Sequence, residues 1–273
     1  MTDNASQQDH QTMTKAKSSP VIELGSAILF LTRFPVPQRL FLFGYPPLTN
    51  ALWAFPLVGA GIGFIGAFVF WLASAILMLP SILAATLSIA TITIATGALH
   101  EDGLADMADG FGSGKTGSDA AKIMKDSLIG SYGASALIII FFLRVVALHA
   151  AAIDVALIWV ILPAALATGR LSTLIALANC HHSPHASLGK LVSAPSLRAM
   201  AIGLLTCLWF YLYLPTALVI TGLFLAGLGY LVIRTLAVKK IGGLTGDVMG
   251  AMIIITETAF LIAMTSQGGI LHV

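Results

Sequence analysis

Several stretches of about 20 apolar residues follow one another along this chain, and they constrain its fold more than any other feature. A helix needs roughly 20 such residues to cross a bilayer core about 30 Å thick. Candidate spans are residues 52–79, 81–99, 134–152, 155–178, 199–214, 216–236 and 249–266. Hydrophobic residues make up 58% of the chain and charged ones only 10%, against about 25% charged in soluble domains. The sequence predicts an all-α, polytopic membrane bundle of about 6 to 8 transmembrane helices.

The N-terminal residues differ in character from the rest. Residues 1–19 are polar and lack the apolar core of a signal peptide, so we expect a disordered tail. Residues 20–34 are apolar but interrupted by Arg33 and followed by two prolines, which favours an interfacial or re-entrant helix. We expect residues 20–273 to form a single membrane-embedded catalytic domain.

The basic residues predict the orientation in the membrane. If the spans alternate, these residues share one side: Lys15, Lys17, Arg33, Arg39, Lys115, Lys122, Lys125, Lys190, Arg198, Lys239 and Lys240. The turns near Pro80, Asp154 and Pro215 contain no Lys or Arg. By the positive-inside rule the basic side is the cytoplasm. The net charge of +2 is too small to indicate a nucleic-acid partner.

An acidic segment on the basic side carries the candidate chemistry. It reads HEDGLADMADG, from His100 to Gly110. Asp102, Asp106 and Asp109 follow at i, i+4 and i+7, so a helix would place them within about 60° of arc. Like charges on one face repel, and a divalent cation with a preference for oxygen ligands, such as Mg²⁺, would stabilise them.

Two further aspartates lie on the same predicted side. Asp126 belongs to a second helix-compatible stretch, AAKIMKDSLIG, and would complete a four-carboxylate site if the two stretches fold together. Asp247 stands after three glycines at the start of the last span. Spacing leaves open whether Asp247 caps that helix or takes part in the chemistry.

Ionisable residues also occur within the predicted spans. They include Arg144, His149, Arg170 and Glu257, and groups at that depth usually pair or face a polar cavity. Two interpretations stay open. An Arg–Glu pair could hold the bundle together, or Arg170 could contact a phosphate.

Two other patterns carry less chemical information. The run Gly61-Ile-Gly63-Phe-Ile-Gly66 matches a dinucleotide-binding pattern, but within a span small residues such as Gly59 and Gly63 indicate close helix packing. The roles of His181, His182 and His185, in a polar loop, stay unassigned.

Carboxylate-held Mg²⁺ at a membrane surface, with Lys and Arg nearby, is typical of phosphoryl transfer. The metal neutralises a diphosphate, and a carboxylate removes the proton from an attacking hydroxyl. These patterns alone predict a metal-dependent phosphotransferase with an amphiphilic substrate or product.

The chain resembles the cobalamin (5′-phosphate) synthase family, also called adenosylcobinamide-GDP ribazoletransferases, over about residues 24–265. The likeness rests on these segments in order: FLTRFPVP (Phe30–Pro37), FPLVG (Phe55–Gly59), the H-x-D-G-x-x-D-x-x-D-G signature (His100–Gly110), IMKDSLIGSYG (Ile123–Gly133), TGR (Thr168–Arg170) and GGLTGDVMGA (Gly242–Ala251). The chain departs from the family pattern at Glu101, often apolar there, and at Lys125, often Arg.

The resemblance implies a reaction at the bacterial inner membrane, with the active site facing the cytoplasm. α-Ribazole or its 5′-phosphate would attack the diphosphate of adenosylcobinamide-GDP in an Mg²⁺-dependent step. The products would be adenosylcobalamin or its 5′-phosphate, and GMP. Which acceptor is preferred, how many metal ions bind and whether the chain is a homo-oligomer stay open.

Site residues are assigned as hypotheses. The metal ligands would be Asp102, Asp106, Asp109 and Asp126; the catalytic base would be Asp126 or Asp247, with His100 a lesser candidate; and the phosphate contacts would be Arg33, Lys122 and Arg170. The alternatives are a lipid-directed phosphotransferase of the CDP-alcohol type and a corrinoid transporter.

Overall fold

The described part of the chain, a computed structural model, comprises residues 19–42, 44–186 and 192–269, without the side chains of 267–269. It is helical throughout, with one isolated β-bridge between His182 and Leu244. The helices are α1 (Pro20–Leu31), α2 (Leu48–Ile76), α3 (Ser81–Thr96), α4 (Leu99–Gly112), α5 (Gly117–Met124), α6 (Ser131–Ala151), α7 (Val155–Asn179), α8 (Leu197–Tyr211), α9 (Thr216–Ile241) and α10 (Gly246–Ala263). The predicted all-α fold is confirmed. The predicted N-terminal tail lies almost wholly outside the described residues, as do Lys15, Lys17 and Lys190.

The helices long and apolar enough to cross a membrane agree with most of the predicted spans. Five such segments occur in the described chain: Leu48–Ile76, Ser131–Ala151, Val155–Asn179, Thr216–Ile241 and Gly246–Ser266. The bent pair of α3 and α4 makes a sixth if it is counted as one span. Two shorter apolar helices, α1 and α8, correspond to the predicted interfacial segment 20–34 and to the predicted span 199–214. The chain is therefore a helical membrane protein.

A sharp bend separates α3 from α4. The two helices meet at 87°, because Gly97 and Ala98 both adopt left-handed backbone conformations with φ of +64° and +57°. The backbone N–H of Arg33 donates to the Ala95 carbonyl at 2.8 Å and fixes the segment after α1 against this bend. As a result α4, which contains the acidic segment, turns away from the direction of the bundle.

Small residues bring α2 and α7 into close contact. A Cβ added at Gly59 would lie 2.6 Å from the Leu166 carbonyl oxygen, and one at Gly63 would lie 2.6 Å from the Pro163 Cα. No backbone could tolerate that approach without moving, so the glycines are required for packing. The prediction that this run packs helices is confirmed.

A chain of buried charges crosses the core. Arg144 binds Glu101 at 2.8 Å and Glu257 at 2.7 Å, and Arg170 binds Glu257 at 2.6 Å. Two cations and two anions balance one another in a region with almost no solvent access. The predicted Arg–Glu pairing is confirmed, and Glu101, one of the departures from the family pattern, is a member of the network.

Three polar connections gather at one end of the bundle. The Lys240 ammonium contacts the Lys115 carbonyl oxygen at 3.4 Å, and His182 pairs with Leu244. A separate contact, between Ser81 Oγ and His149 Nδ1 at 2.7 Å, joins the start of α3 to the last turn of α6. The connections that contain Lys115, His182 and Lys240 therefore meet, as the alternation of spans predicts.

Candidate active site

The acidic segment folds as the helix that its spacing predicts. α4 runs from Leu99 to Gly112 and contains Asp102, Asp106 and Asp109, which its 3.6-residue turn places along one face. The Asp102 side chain is exposed, whereas Asp106 and Asp109 are half-buried. Carboxylates along one partly buried helix face are the chemical feature expected of a cation site.

A fourth carboxylate comes to this face from the far end of the sequence. α10 begins at Gly246, and the Thr245 hydroxyl caps it by accepting from the Val248 N–H at 3.3 Å. α4 and α10 approach so closely that a Cβ on Gly103 would lie 2.7 Å from the Asp247 carbonyl oxygen. Asp247 is half-buried beside α4, so it adds its carboxylate to the acidic face.

The electrostatics of the cluster are unfavourable in the absence of a cation. Partial burial and, in decreasing order, the neighbouring carboxylates of Asp102, Asp247 and Asp109 together raise the pKa of Asp106 to about 7. Each of these effects penalises the ionised form. A divalent cation between the carboxylates would remove the repulsion, so this donor set fits a hard metal ion.

Asp109 also has a structural task. Its two carboxylate oxygens accept from the Gly130 N–H at 2.7 Å and the Gly133 N–H at 2.9 Å. These donors lie at the start of α6, whose first amides have no intrahelical partners. Asp109 therefore ties α4 to the N-terminus of α6, and its role as a metal ligand stays a prediction.

The capping bonds of Asp109 give a measurable prediction. Asp109→Ala should lower the free energy of unfolding by about 1–3 kcal/mol, since a carboxylate that caps helix amides is lost. Thermal unfolding in detergent micelles measures this, with Asp119→Ala at an exposed position of α5 as the control. An unchanged midpoint would show that the cap contributes nothing to stability.

Asp126 lies elsewhere than the sequence indicates. α5 ends at Met124, so the stretch AAKIMKDSLIG is not one helix, and the expectation that Asp126 lies on it is wrong. The Asp126 side chain is exposed and accepts from the Leu128 N–H at 3.1 Å, a local bond that competes with helix continuation. Asp126 is not among the charges that raise the pKa of Asp106.

The carboxylates are near one another without forming a closed metal cage. Over the described residues, no group of three or more His, Cys, Asp or Glu side chains is arranged to hold a metal ion. The roles of Asp102, Asp106, Asp109 and Asp126 as metal ligands thus stay predictions. The acidic face leaves room for oxygens from a ligand, as Mg²⁺ sites with few protein ligands do.

A cavity adjoins the acidic face. Its volume is about 140 Å³, and Asp102, Asp247 and His100 contribute to its lining. His100 is only 4% exposed, and its Nε2 has no hydrogen-bond partner in the protein. His100 is therefore placed to contact a ligand in the cavity, and its role as a base stays a prediction.

The three predicted phosphate contacts lie in different environments. Arg33 is exposed, with its side chain packed over Gly97 at the bend. The Lys122 side chain is 79% exposed and lies 3.6 Å from Asp119. Arg170 is buried and paired with Glu257, which favours its structural role. The structure does not bring these three cations together.

Two other residues near Asp247 had no site role in the sequence-based prediction. Lys125 and His185 line a small pocket together with Thr245, Gly246 and Asp247. Ser183 anchors the His-rich loop by donating to the Ile241 carbonyl oxygen at 2.7 Å. Lys125 could have been found from its position in a motif shared with the resembled family, and His185 from the histidine cluster at 181–185, although neither pattern places the residue beside Asp247.

Comparisons with known proteins give one consistent result. Residues 23–265 match the family described as cobalamin-5-phosphate synthase. Similar proteins named adenosylcobinamide-GDP ribazoletransferase occur in Rhizobium meliloti, at 37% identity over 89% of this chain and 95% of the relative, and in Azorhizobium caulinodans, at 37% over 89% and 94%. One from Bradyrhizobium diazoefficiens is 40% identical over 75% of this chain and 78% of the relative. No solved structure matches significantly. The chain belongs to the cobalamin-5-phosphate synthase family.

Proposed function

We propose that this membrane enzyme transfers the cobinamide phosphate of adenosylcobinamide-GDP to α-ribazole or α-ribazole 5′-phosphate and releases GMP. The names of relatives that align along most of their length support this reaction. The structural observation that carries it is the acidic face of α4, which meets Asp247 and adjoins a ligand-sized cavity. Diphosphate chemistry next to an apolar compartment suits a charged donor and an acceptor that carries an aromatic base.

The reaction exchanges one phosphorus–oxygen bond for another. A hydroxyl oxygen of the acceptor bonds to the phosphorus attached to cobinamide, and the bond from that phosphorus to the oxygen of the GMP phosphate breaks. The electron pair leaves with GMP, and the proton of the hydroxyl passes to a base. The result is a phosphodiester between the corrinoid and the ribazole.

Asp247 is the best-placed base for this step. Asp247 lines both the cavity and the pocket that contains Lys125. A base must lie within hydrogen-bond reach of the hydroxyl that it deprotonates, and an acceptor in the cavity would present its hydroxyl to Asp247. Lys125 would contact the charged phosphates on the other side of Asp247.

Asp102 and Asp106 are the residues that would hold Mg²⁺, with Asp109 and Asp247 beside them. When bound, the metal would neutralise diphosphate charge and stabilise the charge that develops on the leaving GMP. Without a cation the carboxylates would repel the diphosphate. The residues that hold the metal would therefore also determine where the diphosphate binds. We propose that the protein lies in a bacterial inner membrane and that this end of the bundle faces the cytoplasm, because basic residues occur near it.

The transporter alternative finds less support. It requires Arg144, Arg170 and Glu257 to line a path, yet all three are buried and bind one another. A charge-balanced network whose members bind one another favours a role in holding the helices together over a role as an anion path.

Product analysis tests the proposal. Purified protein in detergent should convert adenosylcobinamide-GDP and α-ribazole 5′-phosphate to adenosylcobalamin 5′-phosphate and an equal amount of GMP, measured by mass spectrometry and chromatography. Chelation by EDTA should abolish the reaction, and added Mg²⁺ should restore it. CMP release from a CDP-alcohol donor, with no corrinoid product, would overturn the proposal in favour of a lipid-directed phosphotransferase.

A further inference from the structure

The cavity beside the acidic face has an apolar wall that the proton and phosphate chemistry does not require. Its hydrocarbon lining includes Leu31, Leu52, Phe55, Leu177 and Ile253, all of which are buried. Its volume of about 140 Å³ is close to the roughly 150 Å³ of an apolar protein cavity that admits benzene. A flat ring of mainly carbon atoms is thus the kind of group that this space accepts.

Two polar groups in the lining lack partners within the protein. His100 Nε2 and Thr173 Oγ1 are buried without a hydrogen bond, and both residues line the cavity. Thr173 is 3% exposed. A buried polar atom without a partner costs free energy, so each is available to a ligand that brings the complementary group.

We propose that this cavity binds the aromatic base of the acceptor nucleoside, with Thr173 as the polar contact of that base. The inference rests on the proposed function and deepens it by assigning the base of ribazole to a subsite. A substituted benzimidazole has a hydrocarbon surface and one free ring nitrogen, which accepts a hydrogen bond. The Thr173 hydroxyl can donate that bond, and the ribose would then lie toward Asp102 and Asp247.

The guanine of the donor fits this cavity less well. Guanine carries acceptors and donors along several edges, and the hydrocarbon wall would leave part of them unpaired at a cost in free energy. A corrinoid ring is far too large for the space. The acceptor base is therefore the occupant that the lining favours.

The test measures binding of α-ribazole to the purified protein by isothermal titration. Thr173→Val removes the hydroxyl with little change in shape and should raise the dissociation constant about tenfold. Ser172→Ala on the same helix is the matched control, because Ser172 does not line the cavity and its hydroxyl bonds the Gly169 carbonyl. The control should bind like the wild type.

A second variant narrows the cavity itself. Leu177→Phe should weaken binding of α-ribazole by at least about tenfold and favour the riboside of unsubstituted benzimidazole, which lacks two methyl groups. Ile175→Phe, on the same helix but outside the lining, controls for added bulk. If Leu177→Phe fails to fold, the comparison of Thr173→Val with Ser172→Ala still tests the proposed subsite.

The outcomes separate the subsite from the reaction. Equal binding of α-ribazole by the wild type, Thr173→Val and Leu177→Phe would overturn the subsite, even if the wild type makes product. If these variants instead weaken the binding of adenosylcobinamide-GDP, the cavity belongs to the donor, and the proposed subsite is overturned as well. A wild type that binds α-ribazole through Thr173 but releases no GMP would overturn the proposed function and leave the subsite intact.

Discussion

Asp106→Asn is expected to reduce GMP release by at least about 100-fold while the protein still folds and inserts. Asp106 lies close enough to Asp102 and Asp247 for their charges to raise its pKa, so the loss of its own charge should weaken the binding of a metal that contributes several kcal/mol to transition-state stabilisation. The same change removes a carboxylate whose pKa is raised to about 7 by burial and by repulsion from its neighbours together. The thermal midpoint measured without metal should therefore stay equal or rise.

This combination of lost turnover and retained stability distinguishes a metal ligand from a structural residue. Asp119→Asn is the control, since Asp119 is exposed on α5 and pairs with Lys122 at the surface. It should change neither turnover nor thermal midpoint. Near-normal GMP release by Asp106→Asn would remove Asp106 from the metal site, and a fall in its midpoint would assign it a structural role.

Glu257→Gln is expected to cause the largest loss of stability in the membrane core. Glu257 accepts from Arg144 at 2.7 Å and from Arg170 at 2.6 Å, and all three side chains are at most 5% exposed. Removal of one partner from a buried ion pair typically costs about 3–5 kcal/mol, because a buried charge is left uncompensated. The thermal midpoint in detergent should fall, and the yield of monodisperse protein should fall with it.

A charge-balanced variant tests the cause of this loss. Arg170→Met combined with Glu257→Gln leaves Arg144 paired with Glu101 and restores neutrality. The double variant should recover part of the lost stability. A double variant less stable than Glu257→Gln would show that the contacts of Arg170 matter more than the charge balance.

Hydropathy and helical spacing were sufficient to predict most of the architecture. Long apolar stretches marked the spans, and the i, i+4, i+7 spacing of Asp102, Asp106 and Asp109 predicted their helix. Both signals are local, because a helix satisfies its backbone within one segment and leaves only its face to be decided. The bend before α4 was not predictable, since Ala98 adopts a left-handed conformation that alanine rarely takes.

The composition of the site depended on contacts between distant segments. Asp126 was grouped with the acidic helix on the assumption of a continuous second helix, but its side chain bonds the Leu128 N–H beyond the end of α5. Asp247 joins the acidic face because Gly103 lets α10 approach α4. Thr173 gave no signal at all, since a single threonine in an apolar helix is unremarkable until the cavity beside it is known.

Binding of Mn²⁺, a paramagnetic substitute for Mg²⁺, tests the central claim that the acidic face of α4 holds a divalent cation for the diphosphate. Electron paramagnetic resonance titration should show Mn²⁺ bound to the purified wild type in the presence of adenosylcobinamide-GDP. The Asp102→Asn and Asp106→Asn double variant should bind at least about tenfold more weakly, and Asp119→Asn should match the wild type. Equal Mn²⁺ affinity in the wild type and the double variant would contradict the claim.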